Sequence, residues 1–213
     1  MQFGICLLSH VPGRKEPSGT SEMTTQLLFG DTYSILETKD DWMKIKTDFD
    51  HYECWISSKQ HFKLSQEWFQ KLKKETPVFA LSPVQILSPA NGQPAFPITI
   101  GATLPGYANG TCAFDDHSFD YPGEVTSMKV KQNAEHLLNT AYRYLNAPYL
   151  WGGKSLFGID CSGFTQSVFK LNGYALPRDA KQQVEVGHPL SFVEEAEAGD
   201  LAFFDNEEGT IVH

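Results

Sequence analysis

The sequence predicts an α+β protein, with a front half of small β-barrels and a rear part in which a helix begins at a cysteine. Short apolar runs divided by turn residues fill the chain to about residue 63. The apolar spacing turns helical from Val130 onward. A glycine-rich approach then leads into Asp160-Cys161-Ser162-Gly163-Phe164, at the head of a second helical run. These shifts predict units at 1–64, 65–127 and 128–213. A chain of 213 residues with 41% hydrophobic and 13% aromatic content can fill two or three cores of that size.

In the first unit, Leu27-Leu28-Phe29 precedes the turn Gly30-Asp31. Thr32 to Leu36, Trp42 to Lys46 and Tyr52 to Ile56 follow as strands, with Asp48-Phe49-Asp50-His51 as a hairpin tip. Pro12 to Ser21 is polar enough to predict an extended loop beside the barrel. Residues 66–75 predict a short polar helix carrying Trp68, Phe69 and Leu72. It stops before Thr76-Pro77 because the residue before proline disfavours helix. A second β-rich stretch runs through Val84 to Leu87 and Ile98 to Ile100 to Gly106-Tyr107. Its frequent prolines predict a short-stranded module, a second, degenerate barrel. In the third unit Val130, Ala134, Leu137, Leu138, Ala141, Tyr142 and Leu145 share one helical face, ended by Ala147-Pro148. The next helix starts at an Asp160 N-cap, buries Phe164, Val168 and Leu171, and stops at Asn172-Gly173. Beyond an acidic stretch at Glu194 to Glu197, Leu201 to Phe204 and the pair Ile211-Val212 predict strands.

A net charge of −9 with scattered basic residues argues against nucleic acid or an anionic membrane as partner. The small run Lys71-Leu72-Lys73-Lys74 fits a solvated helix face. The four cysteines, Cys6, Cys54, Cys112 and Cys161, have no CxxC spacing, so neither a metal site nor a disulfide framework is expected. The first residues lack a basic leader, and no apolar run is long enough to span a bilayer. A reducing, cytoplasmic setting is the expectation.

A thiol in the first turn of a helix meets the positive end of the helix dipole and unpaired amide hydrogens, which favour the nucleophilic thiolate. The same amides can hold the oxyanion formed when a thiolate attacks a carbonyl. The alternative for Cys161 is a packed core thiol, the common state of free cysteine. Small and polar neighbours, Gly158, Asp160, Ser162 and Gly163, weigh toward backbone open to a ligand. Thiol chemistry of this kind also needs a base near neutrality, a histidine task. His10, His51, His61, His117, His136, His188 and His213 are all available, and His213 follows a β-branched pair suited to a strand.

Pro148-Tyr149-Leu150-Trp151-Gly152-Gly153, Asp160-Cys161-Ser162-Gly163-Phe164, Leu176-Pro177-Arg178, Gly199-Asp200-Leu201 and Ile211-Val212-His213 together resemble the NlpC/P60 family of cell-wall cysteine peptidases. The resemblance implies a papain-like NlpC/P60 catalytic domain and cleavage of peptidoglycan stem peptides between γ-D-glutamate and the following diamino acid, with no metal or cofactor. It implies Cys161 as nucleophile, His213 as general base and Tyr149 beside the oxyanion. The family's third polar residue lies on a strand after the base, which this sequence does not reach, so the catalytic domain is expected to be truncated. The front unit, through Val11 to Ser18 and Ser21 to Asp31, resembles the bacterial SH3-like domain of the γ-D-glutamyl-L-diamino acid endopeptidases that recycle murein peptides. That likeness implies stem peptides L-Ala-γ-D-Glu-diamino acid as substrates. Glu22, Tyr52 and Asp160 would hold the alanine ammonium, Ser162 would stand near the substrate, and Asp31 is the reserve carboxylate. An ammonium shielded from water needs such a carboxylate and acceptors. Trp151, Gly152-Gly153, Arg178 and Asp200 are expected to serve packing, turns and charge pairing. A non-catalytic cell-wall peptide binder is the competing reading, and a thiol acyltransferase on a related fold a weaker one.

Overall fold

A computed structural model describes residues 2–213. The first unit is one antiparallel sheet of β1 (Gln2–Ile5), β2 (His10–Arg14), β3 (Met23–Leu28), β4 (Thr32–Lys39), β5 (Trp42–Thr47), β6 (Glu53–Ser57) and β7 (Phe62–Leu64), in the order β3-β2-β6-β5-β4-β1-β7. Alternation along these strands buries Val11, Leu27, Tyr33, Ile45 and Ile56 together with Cys6 and Cys54. The expected loop Pro12 to Ser21 is in part strand, since Pro12 pairs with Gln26 and Gly13 with Thr25. Gly13 permits this, because a β-carbon there would overlap the Cys54 side chain. Only the stretch after Arg14 forms the turn back into β3.

Helix α1 (Gln66–Lys74) is capped by Ser65, whose hydroxyl accepts from Trp68 N at 3.2 Å. It lays Phe69 flat on Phe3, with centroids 4.1 Å apart, and turns its lysines outward, Lys73 to Asp48 at 3.0 Å. The second unit contains β8 (Val78–Ala80), β9 (Val84–Pro89), β10 (Phe96–Thr99), β11 (Tyr107–Ala108), β12 (Thr111–Phe114), β13 (His117–Asp120) and β14 (Val125–Ser127). They form a five-stranded sheet, β10-β9-β13-β12-β11, and the pair β14-β8. This module does not own its core. Phe3, Ile5, Leu28 and Phe29 of the first unit pack in one cluster with Leu87, Ile98, Phe114, Phe119 and Tyr121 of the second.

The third unit opens with α2 (Ala134–Tyr142), capped by Asn133, so Val130 precedes the helix and Leu145 follows it. Its apolar face is narrower than expected. Leu137 is buried, but Leu138, Tyr142 and Leu145 are 49%, 70% and 69% exposed. The reason is that α2 packs along one narrow side against the next helix, where Leu137 and Ala141 join Tyr144, Val168 and Leu171. A two-stranded ribbon, β15 (Lys154–Ser155) and β16 (Gly158–Ile159), leads into α3 (Cys161–Leu171). Helix α3 is enclosed on more than its apolar face, burying Ser162, Gln166, Ser167 and Lys170 beside Val168 and Leu171. Gly173, at φ +87°, ends it. The strands expected at 201–204 and 211–213 are reduced to a bridge from Asp205 to Ile211 and backbone hydrogen bonds between Phe204 and His213. Two short segments paired only with each other fall short of a regular ribbon. No helix among the described residues is long and apolar enough to cross a membrane.

Candidate active site

Cys161 is the first residue of α3, fixed there because the Asp160 carboxylate accepts from Gly163 N at 2.6 Å. It is half-buried, whereas Cys6, Cys54 and Cys112 are fully buried. Burial pushes the Cys54 and Cys112 thiols up to about 12 and Cys6 higher still, which leaves them unreactive at neutral pH. At the helix head Gly163 N is taken by Asp160, while the amides of Cys161 and Ser162 have no helical carbonyl to reach. They are donors for an oxyanion next to the sulfur.

Asp160 is the most densely bonded side chain of the site. Its Oδ2 accepts from Gly152 N at 2.8 Å and Arg178 Nη2 at 2.7 Å, and its Oδ1 from Arg178 Nη1 at 3.1 Å. Arg178 is only 1% exposed; it also donates to Ser162 Oγ at 2.9 Å and, through Nε, to Thr25 Oγ1 in β3 at 3.1 Å. The expected charge partner of Arg178 is thus Asp160, with both oxygens engaged in a bidentate pair. One guanidinium ties together the nucleophile's cap, the next residue and the front barrel. Gly152 completes the tie. Its φ is +77°, and a β-carbon there would overlap the Met23 carbonyl oxygen of β3.

A cleft of about 420 Å³ opens over Cys161, with Asp160, Ser162 and Trp151 on one side and Glu22 and Tyr52 of the barrel on the other. Glu22 accepts from Trp151 Nε1 at 2.8 Å and pairs with Lys15 at 3.3 Å. The Tyr52 hydroxyl lies beside Thr24 and Asp179, and burial, with the Asp179 charge, pushes it up to about 12. Burial likewise raises the Asp179 carboxyl, against the pull of Arg178. Tyr149 is exposed and does not line the cleft; its backbone is bridged to Ile159. Its phenol is raised by slight burial and then by the nearby Cys161 and Asp160 charges. His213 shares a second groove of about 190 Å³ with Cys161, Thr165, Gln183 and Phe204, so the thiol lies where two grooves meet. Among the described residues no hydrogen bond joins thiol and imidazole; the imidazole leans on the Phe204 ring at 6.1 Å. The reserve carboxylate Asp31 is elsewhere. It lies at the junction of the units, accepting from Leu28 N and Thr103 Oγ1, both at 2.9 Å, and facing Lys170 at 3.5 Å. No cluster of three or more potential metal ligands occurs among the described residues.

Sequence reasoning passed over the support beneath the cleft. Gln166, fully buried in α3, donates from Nε2 to Asp50 Oδ2 at 2.8 Å and to the Leu176 carbonyl at 3.0 Å. Asp50 belongs to the hairpin tip of the barrel and also accepts from Thr47 Oγ1 and, at 3.3 Å, from Tyr52 N. Burial would raise its carboxyl, but the charge of Lys154 and these hydrogen bonds outweigh it and hold it below the usual range. The available signal was a glutamine in the interior of an otherwise well-patterned helix.

Residues 146–213 match the NlpC/P60 family, and residues 13–60 match the bacterial dipeptidyl-peptidase SH3 domain. A gamma-D-glutamyl-L-lysine dipeptidyl-peptidase of Bacillus subtilis (strain 168) is 32% identical over 204 residues, covering 87% of this chain and 65% of that protein. A protein of the same name from Bacillus cereus (strain ATCC 10987 / NRS 248) is 27% identical, covering 90% and 63%. The chain therefore spans just under two thirds of the length of these relatives. The crystal structure of an NlpC/P60 family protein from Bacillus cereus ATCC 10987 superposes with a TM-score of 0.87 at 22% identity, over 99% of this chain and 86% of that one. The fold is shared along the whole chain.

Proposed function

Residues 146–213 belong to the NlpC/P60 family and residues 13–60 to the bacterial dipeptidyl-peptidase SH3 domain family, and from that premise we propose a cysteine peptidase specific for stem peptides with a free N-terminal L-alanine. The bond cut is that between γ-D-glutamate and the diamino acid, as in the recycling of murein peptides. The observation that carries this reading is the cleft itself. A solvent-accessible thiol at a helix head faces a barrel wall bearing a carboxylate, Glu22, and a phenol, Tyr52.

The chemistry follows from those positions. The Cys161 thiolate attacks the γ-glutamyl carbonyl, and the oxyanion falls to the free amides at the head of α3 with the Tyr149 phenol beside them. His213 takes the thiol proton and returns it to the departing amine, leaving an acyl-enzyme. Water then releases L-Ala-γ-D-Glu. Arg178 already compensates the charge of Asp160, so Glu22 is the carboxylate left to answer the alanine ammonium, and Lys15 must yield to it. Four unpaired thiols, three of them buried, support a reducing compartment as the working environment. The test is cleavage of L-Ala-γ-D-Glu-diaminopimelate and its L-lysine analogue, with release of the dipeptide followed by mass spectrometry. Cys161→Ala is expected to abolish release, and N-acetylation of the alanine to suppress it. Undiminished cleavage by Cys161→Ala would remove the thiol from the mechanism.

A further inference from the structure

A site that holds an ammonium at one end and attacks a carbonyl at the other selects substrates by the distance between its two ends. Here the ends sit on different units, Glu22 and Tyr52 on the barrel and Cys161 on α3. What fixes that distance is therefore part of the specificity. We propose that Asp50 and Gln166 are the positioning pair that sets it, so that the site accepts a carbonyl two residues from a free amine. The inference rests on the peptidase reading above.

The geometry is concentrated on one buried amide. Gln166 lies five positions after Cys161 on the same helix, so its place relative to the sulfur is rigid. One Nε2 hydrogen goes to Asp50 Oδ2, and Asp50 Oδ1 in turn holds the backbone N–H of Tyr52. The Thr47 hydroxyl closes the same hairpin by accepting from Tyr52 N at 2.9 Å. The other Nε2 hydrogen goes to the Leu176 carbonyl, two residues before Arg178. The phenol wall, the nucleophile's helix and the segment carrying Arg178 thus converge on a single side chain. The Gln166 Oε1 is buried and has no partner. A reversed amide would set that oxygen against a carboxylate and a carbonyl, so both donors stay committed even though the acceptor is left unsatisfied. An orphan acceptor kept at this place is what a positional demand produces, since packing alone would be better served by an apolar side chain.

The test separates amine recognition from its positioning. The full chain carrying Cys161→Ala is titrated calorimetrically with L-Ala-γ-D-Glu and with its N-acetyl form, then again with Asp50→Ala, Gln166→Met or Asp50→Asn added. The parent is expected to prefer the free amine. Asp50→Ala and Gln166→Met are expected to lower that preference about tenfold, since displacements near 1 Å cost that much or more in a site of fixed geometry. Asp50→Asn, which keeps an acceptor for Gln166, is expected to recover most of it. In the cleaving protein the same changes are expected to raise KM for the free-amine substrate more than they lower kcat. A merely stabilising role would lower the melting temperature and leave the preference of the folded protein intact, and that result overturns the inference. If Asp50→Ala does not fold, Gln166→Met, near in volume, decides it alone. A parent that binds both ligands equally overturns amine recognition itself, and this inference with it; a parent that discriminates alongside variants that discriminate equally overturns the inference only.

Discussion

Asp160 shows how much a single side chain can be asked to do. Local pattern makes it the N-cap that puts Cys161 in the first turn, and its partner Arg178, 18 residues on, makes it an ion pair buried with both oxygens engaged. Removing one member strands a charge. Arg178→Ala is expected to destabilise the protein by about 3–5 kcal/mol in urea unfolding, far beyond the loss from an exposed pair such as Lys15 with Glu22. Arg178→Lys should recover only part, because an ammonium cannot match the bidentate fork. His61 supplies a pH signal. Burial holds its imidazole below the ordinary value, and Nδ1 sits 3.0 Å from the Tyr33 hydroxyl. The unfolded chain binds that proton more readily, so this contribution is fully present above about pH 6.5 and is lost as pH falls through the window beneath it. Unfolding midpoints measured from pH 7 to pH 5 should therefore decline, and His61→Gln should flatten the decline. Cap and thiol were legible in five consecutive residues, and Arg178 as a partner for some carboxylate; which carboxylate, and any role for Gln166, were not legible, because the partners lie far along the chain, 116 residues away in the case of Asp50.

At the scale of elements, α3 departs most instructively from its pattern. Phe164, Val168 and Leu171 predicted one buried face; Val168 and Leu171 are buried and Phe164 only half-buried, while Ser162, Gln166, Ser167 and Lys170 are buried beside them. The helix is central, and its polar side meets other units rather than water. Lys170 gives the cost and the remedy together. Burial lowers its pKa, while the Gly101 carbonyl at 3.1 Å, Asp31, and the rings of Phe49 and Phe79 keep the ammonium supplied with partners. Helix α2 shows the reverse, a broad apolar pattern of which one narrow side is buried. The turn before β15 is a close backbone contact between units. Gly152→Ala is expected to cost at least about 1–2 kcal/mol for the left-handed backbone alone. More follows as Met23 is pushed away, and both the urea midpoint and cleavage should fall together.

For the whole molecule the decisive fact is that the second β module has its core in common with the first, beside the first barrel's own interior. Phe29 touches Phe96 and Phe119 at centroid distances of 5.9 and 5.3 Å, across a boundary that turn residues and prolines mark as a domain limit. Residues 2–64 expressed alone would expose Leu28, Phe29 and their neighbours, and are expected to give a poorly dispersed amide spectrum and to aggregate. A well-dispersed spectrum from that fragment would disprove the shared core. Leu28→Ala in the full chain, at a residue 1% exposed, should lower stability by about 2–5 kcal/mol. It should do so without splitting the calorimetric transition, since the two modules unfold together.

The sequence by itself determined the strand runs of the barrel, the start and stop of α3, the cysteine at its head and the motifs that name the family. Each is set by residues within a few positions of one another, through alternation, capping and turn chemistry. Only the tertiary structure decided that Arg178 neutralises Asp160, that Glu22 meets Trp151, that Asp31 lies away from the cleft and that the second β module shares its core with the first. Those outcomes depend on which distant surfaces are brought within hydrogen-bonding or van der Waals range, and a buried polar group takes its partner from whatever the fold places beside it.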